Sequence, residues 1–151
     1  VGREPVRLLF VCLGNICRSP TAEAVMRQLI TANGLVERFE VDSAGIGGWH
    51  EGEPPDRRAR EAAARRGLHL GGRARTITAA DFDGFDVIVS VDEANLATLR
   101  RLAPAGSRAK LRKLAREDVP DPYYGGADGF TTALDLIEAA CARLLDELRQ
   151  D

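Results

Sequence analysis

Apolar residues in this chain fall into two kinds of run. Val6 to Cys12 (VRLLFVC) and Phe85 to Val91 (FDVIVSV) are short and almost continuous. Runs of that length, the first bounded by Pro5 and Gly14, predict strands buried on both faces. Phe39 to Ser43 predicts another short strand leading into a glycine-rich SAGIGG stretch, and Lys110 to Leu114 a weaker fourth. The other kind of run repeats every three or four residues. Phe130, Leu134, Ile137, Cys141, Leu144 and Leu148 form one stripe, so Ala127 to Leu148 predicts a long amphipathic helix. Three shorter helices are marked by their ends. Pro20 to Asn33 has Pro20 at the first helical position, Ser19 as a candidate cap and Gly34 after it; Pro55 to Arg66 stops at Gly67; Asp92 to Leu102 is closed by Pro104.

Strands alternating with helices predict parallel βαβ units. The expected fold class is therefore α/β: three layers, a small doubly wound four-stranded parallel sheet with helices on both faces. Such sheets bind ligands beyond the carboxyl ends of their strands. Cys12 ends the first strand, so the loop after it is where chemistry is expected.

Composition narrows the function. The 151 residues predict a single domain, 1–151, and a net charge of −2 argues against nucleic acid or an anionic membrane as partner. No apolar run reaches the ~18–20 residues of a membrane span, and Val1 to Arg7 lacks the apolar core of a signal peptide; the expected location is cytoplasmic. Three cysteines and two histidines, His50 and His69, are too few for a zinc site or a disulfide framework, so no metal or other cofactor is expected. No Gly-x4-Gly-Lys-Ser/Thr occurs, and residues 45–50 (GIGGWH) carry His where a dinucleotide fingerprint needs its last Gly.

The loop after the first strand runs Cys12, Leu13, Gly14, Asn15, Ile16, Cys17, Arg18, Ser19, Pro20. Its backbone N–H groups can converge on an anion if it curls, with Gly14 and Asn15 tolerating left-handed conformations. The helix that follows contributes the positive end of its dipole, and Arg18 a planar fork for two phosphoryl oxygens. All three favour a thiolate at Cys12, to which the Ser19 hydroxyl can donate. The arrangement offers a metal-free nucleophile aimed at a tetrahedral oxyanion, which makes residues 13–19 a phosphate-binding loop. The bland alternative is that Cys12 and Cys17 are small buried side chains at a strand end.

VCLGNICRSPTAE at 11–23, DSAG at 42–45, DE-x-N at 92–95 and DPYYGG at 121–126 together resemble the low-molecular-weight protein tyrosine phosphatases, in their bacterial type. The resemblance implies Cys12 as nucleophile, Arg18 as phosphate clamp and Asp121 as the general acid that later activates water. It implies that Asn15, Ser19 and Ser43 brace the loop, and that Trp49, Tyr123 and Tyr124 wall a pocket for the phenyl ring. Cys17 becomes a possible redox partner of Cys12, Asp92 a neighbour of the site or simply a helix cap, and Cys141 a core residue. Many relatives carry a His where this chain has Gly72, so the bracing network must end differently here. The implied partners are tyrosine-phosphorylated proteins, with inorganic phosphate, vanadate and similar oxyanions as inhibitors. The competing readings are a phosphoarginine phosphatase, disfavoured by Ile16 and the paired tyrosines; an arsenate reductase, which needs a further pair of cysteines; and a catalytically dead phosphoprotein-binding module.

Overall fold

A computed structural model describes residues 4–123 and 125–150; Tyr124 lies outside the described residues. The elements run β1 (Val6–Cys12), α1 (Arg18–Ala32), β2 (Phe39–Gly45), α2 (Arg57–Ala64), α3 (Asp81–Gly84), β3 (Val87–Ser90), α4 (Glu93–Leu102), β4 (Lys110–Lys113) and α5 (Ala127–Arg149). The sheet has four strands in the order β2-β1-β3-β4, all parallel. The fold is the α/β doubly wound sheet expected from the sequence.

Alternation along β1 divides the core, because successive side chains on a strand point to opposite faces. Leu8, Phe10 and Cys12 face the larger core, with Ala22, Val25 and Met26 of α1, Ala59 and Ala62 of α2, and Leu134, Ile137 and Leu144 of α5. Leu9 and Val11 face a smaller core with Phe82 of α3, Ile88 of β3 and Leu99 of α4. Phe10 is fully buried; truncating such a side chain to Ala costs about 3–5 kcal/mol. The edge strand β4 (KLRK) is half-exposed, and its lysines suit an edge that must not recruit a further strand.

Several boundaries shift from the sequence reading, two of them beside Cys12, and one short helix, α3, was not foreseen. α1 starts at Arg18, so Ser19 is not its cap; Cys17 occupies the cap position and makes no side-chain capping bond. Pro20 is tolerated there because the first four helical N–H groups have no intrahelical partner. β2 runs on to Gly45, which pairs with Cys12. The four-residue α3 has too few positions to show a periodicity; Asp81 fixes it by accepting from Thr78 N–H at 2.8 Å. Among the described residues no helix is long and apolar enough to cross a membrane.

The chain leaves β1 toward β2 and leaves β3 toward β4, in opposite directions across the sheet. The crevice opens at the carboxyl ends of β1 and β3, where Cys12 and Asp92 lie.

Candidate active site

The loop 13–17 curls between β1 and α1. Asn15 has φ +59°, the one non-glycine residue with positive φ among those described. Asparagine tolerates this left-handed turn better than most residues. Gly14 does not share it, contrary to the sequence expectation; its missing side chain instead makes room, since a Cβ there would lie 3.1 Å from His50 Cδ2. Gly45 matters in the same way. A Cβ on it would come within 3.0–3.1 Å of Gly14 C and of Asn15 Cβ and N, so a side chain there would press the loop away from β2 by a few tenths of an ångström.

A buried polar network fixes the loop from behind. Asn15 Nδ2 donates to Ser19 Oγ at 2.8 Å and to Ser43 Oγ at 3.0 Å, while Asn15 Oδ1 accepts from Arg75 N–H at 2.9 Å. That last bond fixes which way the amide faces. The Ser43 hydroxyl in turn donates to Glu23 Oε1 at 2.7 Å. Ser19, already accepting from Asn15, has its proton left for Cys12 Sγ at 3.0 Å or the more distant Ala44 carbonyl at 3.4 Å. The network therefore ends on the Glu23 carboxylate and on the Arg75 backbone. No histidine is needed at Gly72, which lies at φ +78° and lines a separate cavity of about 120 Å³ beside Glu23, Asp42 and Ser43.

Arg18 is buried at the start of α1. Its Nη1 donates to Asp92 Oδ2 and to the Val119 carbonyl, both at 2.8 Å, and its Nη2 lies 3.6 Å from Asp121 Oδ2. Asp92 serves a second purpose: its other oxygen accepts from Asn95 N–H at 2.7 Å and caps α4. The two readings of Asp92 are thus both correct. Asp118 is a structural carboxylate, bound to Lys113 at 2.6 Å and to Glu93 N–H at 2.9 Å.

Cys12, Leu13, Gly14, Ile16, Cys17, Arg18, Trp49, His50, Asp121 and Tyr123 line one cavity of about 390 Å³. Trp49 is 69% exposed on its rim, its indole lying so close over Gly47 that a Cβ there would collide with the ring. Tyr123 lines the same cavity, its ring 5.7 Å from that of His50. Burial pushes the Cys17 thiol up, and the nearby Asp56 carboxylate adds to the shift. Cys141 is fully buried in the core, and burial pushes its thiol up as well.

Residues 7–151 match the family model described as low molecular weight phosphotyrosine protein phosphatase. The chain belongs to the low-molecular-weight phosphotyrosine protein phosphatase family. A Streptomyces coelicolor low molecular weight protein-tyrosine-phosphatase is 46% identical, covering 95% of this chain and 94% of its own. The crystal structure of an Entamoeba histolytica protein tyrosine phosphatase with Hepes in its active site superposes with a TM-score of 0.92 at 40% identity, covering 96% of this chain and 97% of that one. A Drosophila arginine phosphatase superposes with a TM-score of 0.90 at 34% identity, over 95% of this chain and 98% of that one.

The sequence reading brought together most of the side chains that meet at the cavity of this family member. Trp49 and Tyr123 reach it; Asn15, Ser19 and Ser43 lie behind the loop. Four residues were missed: His50 on the cavity wall, Glu23 at the end of the network, Arg75 behind Asn15, and Arg58, which reaches the Asp121 segment. Glu23 sits inside the VCLGNICRSPTAE motif and His50 beside Trp49, so both carried a signal. Arg58 and Arg75 carried none, being two arginines among many.

Proposed function

We propose that the chain hydrolyses phosphotyrosine in proteins without a metal, through a cysteinyl-phosphate intermediate. The observation that carries this reading is the convergence of Cys12, Arg18 and Asp121 on one cavity at the start of α1. The substrate's phosphoryl group sits in the loop 13–18, its oxygens facing the Arg18 fork and the positive end of α1. Cys12 Sγ attacks phosphorus in line while the Asp121 carboxylic acid protonates the departing phenolic oxygen. Asp121, now a carboxylate, takes a proton from water as that water attacks the phosphocysteine. Ser19, at 3.0 Å from Sγ, donates to the sulfur as it leaves. Inorganic phosphate and vanadate, which fill the same oxyanion site, inhibit.

The rim supports an aryl ester. Trp49 and Tyr123 both line the pocket, and an aromatic ring gains from such faces beyond its simple burial. Tyr124, expected to share that role, lies outside the described residues.

The fold is shared with an arginine phosphatase, so phosphoarginine is the reading to test against. The buried apolar Ile16 on the cavity wall and the Tyr123 ring favour the phenyl ring over a charged guanidinium. A pair of phosphopeptides, identical but for phosphotyrosine or phosphoarginine, assayed in EDTA, decides. Phosphotyrosine is expected to have the higher kcat/KM; preference for phosphoarginine overturns the substrate assignment.

A further inference from the structure

Asp121 is carried by an exposed turn. Its Oδ1 accepts from Tyr123 N–H at 3.1 Å, and Gly125 N–H closes on the Pro122 carbonyl at 3.0 Å. Upstream, Val119 N–H is fixed to the end of β3 through the Val91 carbonyl at 3.0 Å. Downstream, the turn is reached by a side chain from another element.

That side chain is Arg58, in the first turn of α2. Its Nη2 donates to the Tyr123 carbonyl at 2.9 Å and its Nη1 to the Gly125 carbonyl at 3.5 Å. The guanidinium lies between two rings, 5.5 Å from the Tyr123 centroid and 4.8 Å from that of Phe130. Its Nε and Nη2 also each lie 3.2 Å from an oxygen of Asp56. Asp56 in turn donates its N–H to the Ile16 carbonyl, inside the phosphate loop, at 2.8 Å. A short bonded path thus joins the phosphate loop to the turn bearing Asp121: Ile16, Asp56, Arg58, Tyr123. Burial works against the Asp56 charge, but the bonds from Arg58 outweigh it and hold that carboxyl below its ordinary value.

We propose that Arg58 is a positioning residue, setting the Asp121 carboxyl in register with the phosphate loop. This rests on the general-acid reading of Asp121. Only a planar fork can serve a carboxylate on one edge and backbone carbonyls on the other while stacking between two rings; an ammonium group has neither the reach nor the faces. A small displacement of a catalytic group is costly, and it costs most where the leaving group most needs its proton.

The test is kcat/KM for two aryl phosphates, phenyl phosphate and one with a strongly acidic phenol, in wild type, Arg58→Ala, Arg58→Lys, Asp121→Asn and the double variant Arg58→Ala/Asp121→Asn. Thermal unfolding checks each fold, and Arg58→Lys carries the test if Arg58→Ala is unfolded. Arg58→Ala and Arg58→Lys are both expected to lose roughly tenfold more on phenyl phosphate than on the activated ester. That excess should vanish in the Asp121→Asn background. Equal losses on both esters, full retention by Arg58→Lys, or an excess that persists without Asp121 overturns the inference while leaving the general acid intact. If Asp121→Asn itself shows no leaving-group dependence, the general-acid reading fails and the inference falls with it.

Discussion

Asp92 holds the Arg18 guanidinium at 2.8 Å with one carboxylate oxygen and caps α4 with the other. Arg18, the proposed phosphate clamp, is thereby oriented by the start of a helix on the opposite side of the sheet from α1. The two tasks are separable by substitution, since Asn caps a helix about as well as Asp but cannot form the ion pair. Asp92→Asn is expected to unfold close to the wild-type temperature while losing roughly tenfold in kcat/KM on aryl phosphates. Inorganic phosphate binding should fall less, because removing a negative charge near the pocket offsets part of the lost orientation. Turnover and phosphate affinity falling together would place Asp92 in simple anion binding instead.

Asn15 combines a left-handed backbone with three side-chain bonds. Asn15→Gly relieves the backbone and removes only the bonds; Asn15→Ala removes the bonds and keeps the strain. Denaturant unfolding should therefore find Asn15→Gly the more stable of the two, by about 1 kcal/mol. Both should lose activity by similar factors, since both leave Ser19 and Ser43 unbraced. Wild-type activity in Asn15→Gly would show that the bonds do not matter to the chemistry.

Arg75 braces Asn15 with its backbone, and its side chain is tied to Asp81 at 2.9 Å and to Asp42 at 3.2 Å. Burial works against the Asp81 charge, but the Arg75 and Thr78 bonds dominate and leave its carboxyl below its ordinary value. A carboxyl so depressed stabilises the fold above its unfolded pKa, and that stability is lost as pH falls through the folded value. Asp81→Asn is expected to cost about 1–3 kcal/mol at neutral pH. The gap from wild type should close below about pH 4. A gap that is constant with pH would assign Asp81 a packing role alone.

Much of this site was legible because its chemistry is contiguous. Cys12, Asn15, Arg18 and Ser19 sit within eight residues, and their order between a strand and a helix, with a glycine in the loop, pointed to a phosphate loop where the Cys-to-Arg spacing by itself would not have. Of the two readings of Ser19, the helix cap fails because α1 starts at Arg18, while the expected contact with Cys12 Sγ is present at 3.0 Å. What the sequence hid are links between distant segments. Arg58 meets Tyr123 across 65 residues and Asn15 meets Arg75 across 60. Nothing local distinguishes these arginines from the solvent-facing ones around them. Glu23 differs from them: it lies within the loop motif, and only its bond to Ser43, 20 residues away, was out of view.

Cys17 lines the cavity with Cys12, and the resemblance implies that it guards the nucleophile against overoxidation. Peroxide converts the Cys12 thiolate to a sulfenic acid, and attack by Cys17 then expels the hydroxyl oxygen as water and forms a disulfide. Because burial holds the Cys17 thiol up, this second step should quicken as pH rises. Mass mapping after mild peroxide treatment should find a Cys12–Cys17 disulfide, and Cys17→Ser should accumulate sulfinic acid at Cys12. Overoxidised Cys12 in the wild type, with no disulfide, would reject the guard role.

The central claim is that phosphate passes through Cys12. Acid quenching of Asp121→Asn during turnover of an activated aryl phosphate, followed by peptide mass mapping, tests it directly. The account predicts one phosphoryl group on Cys12 and none when Cys12→Ser is treated alike. Phosphorylation of any other residue, or hydrolysis surviving Cys12→Ser, would contradict it.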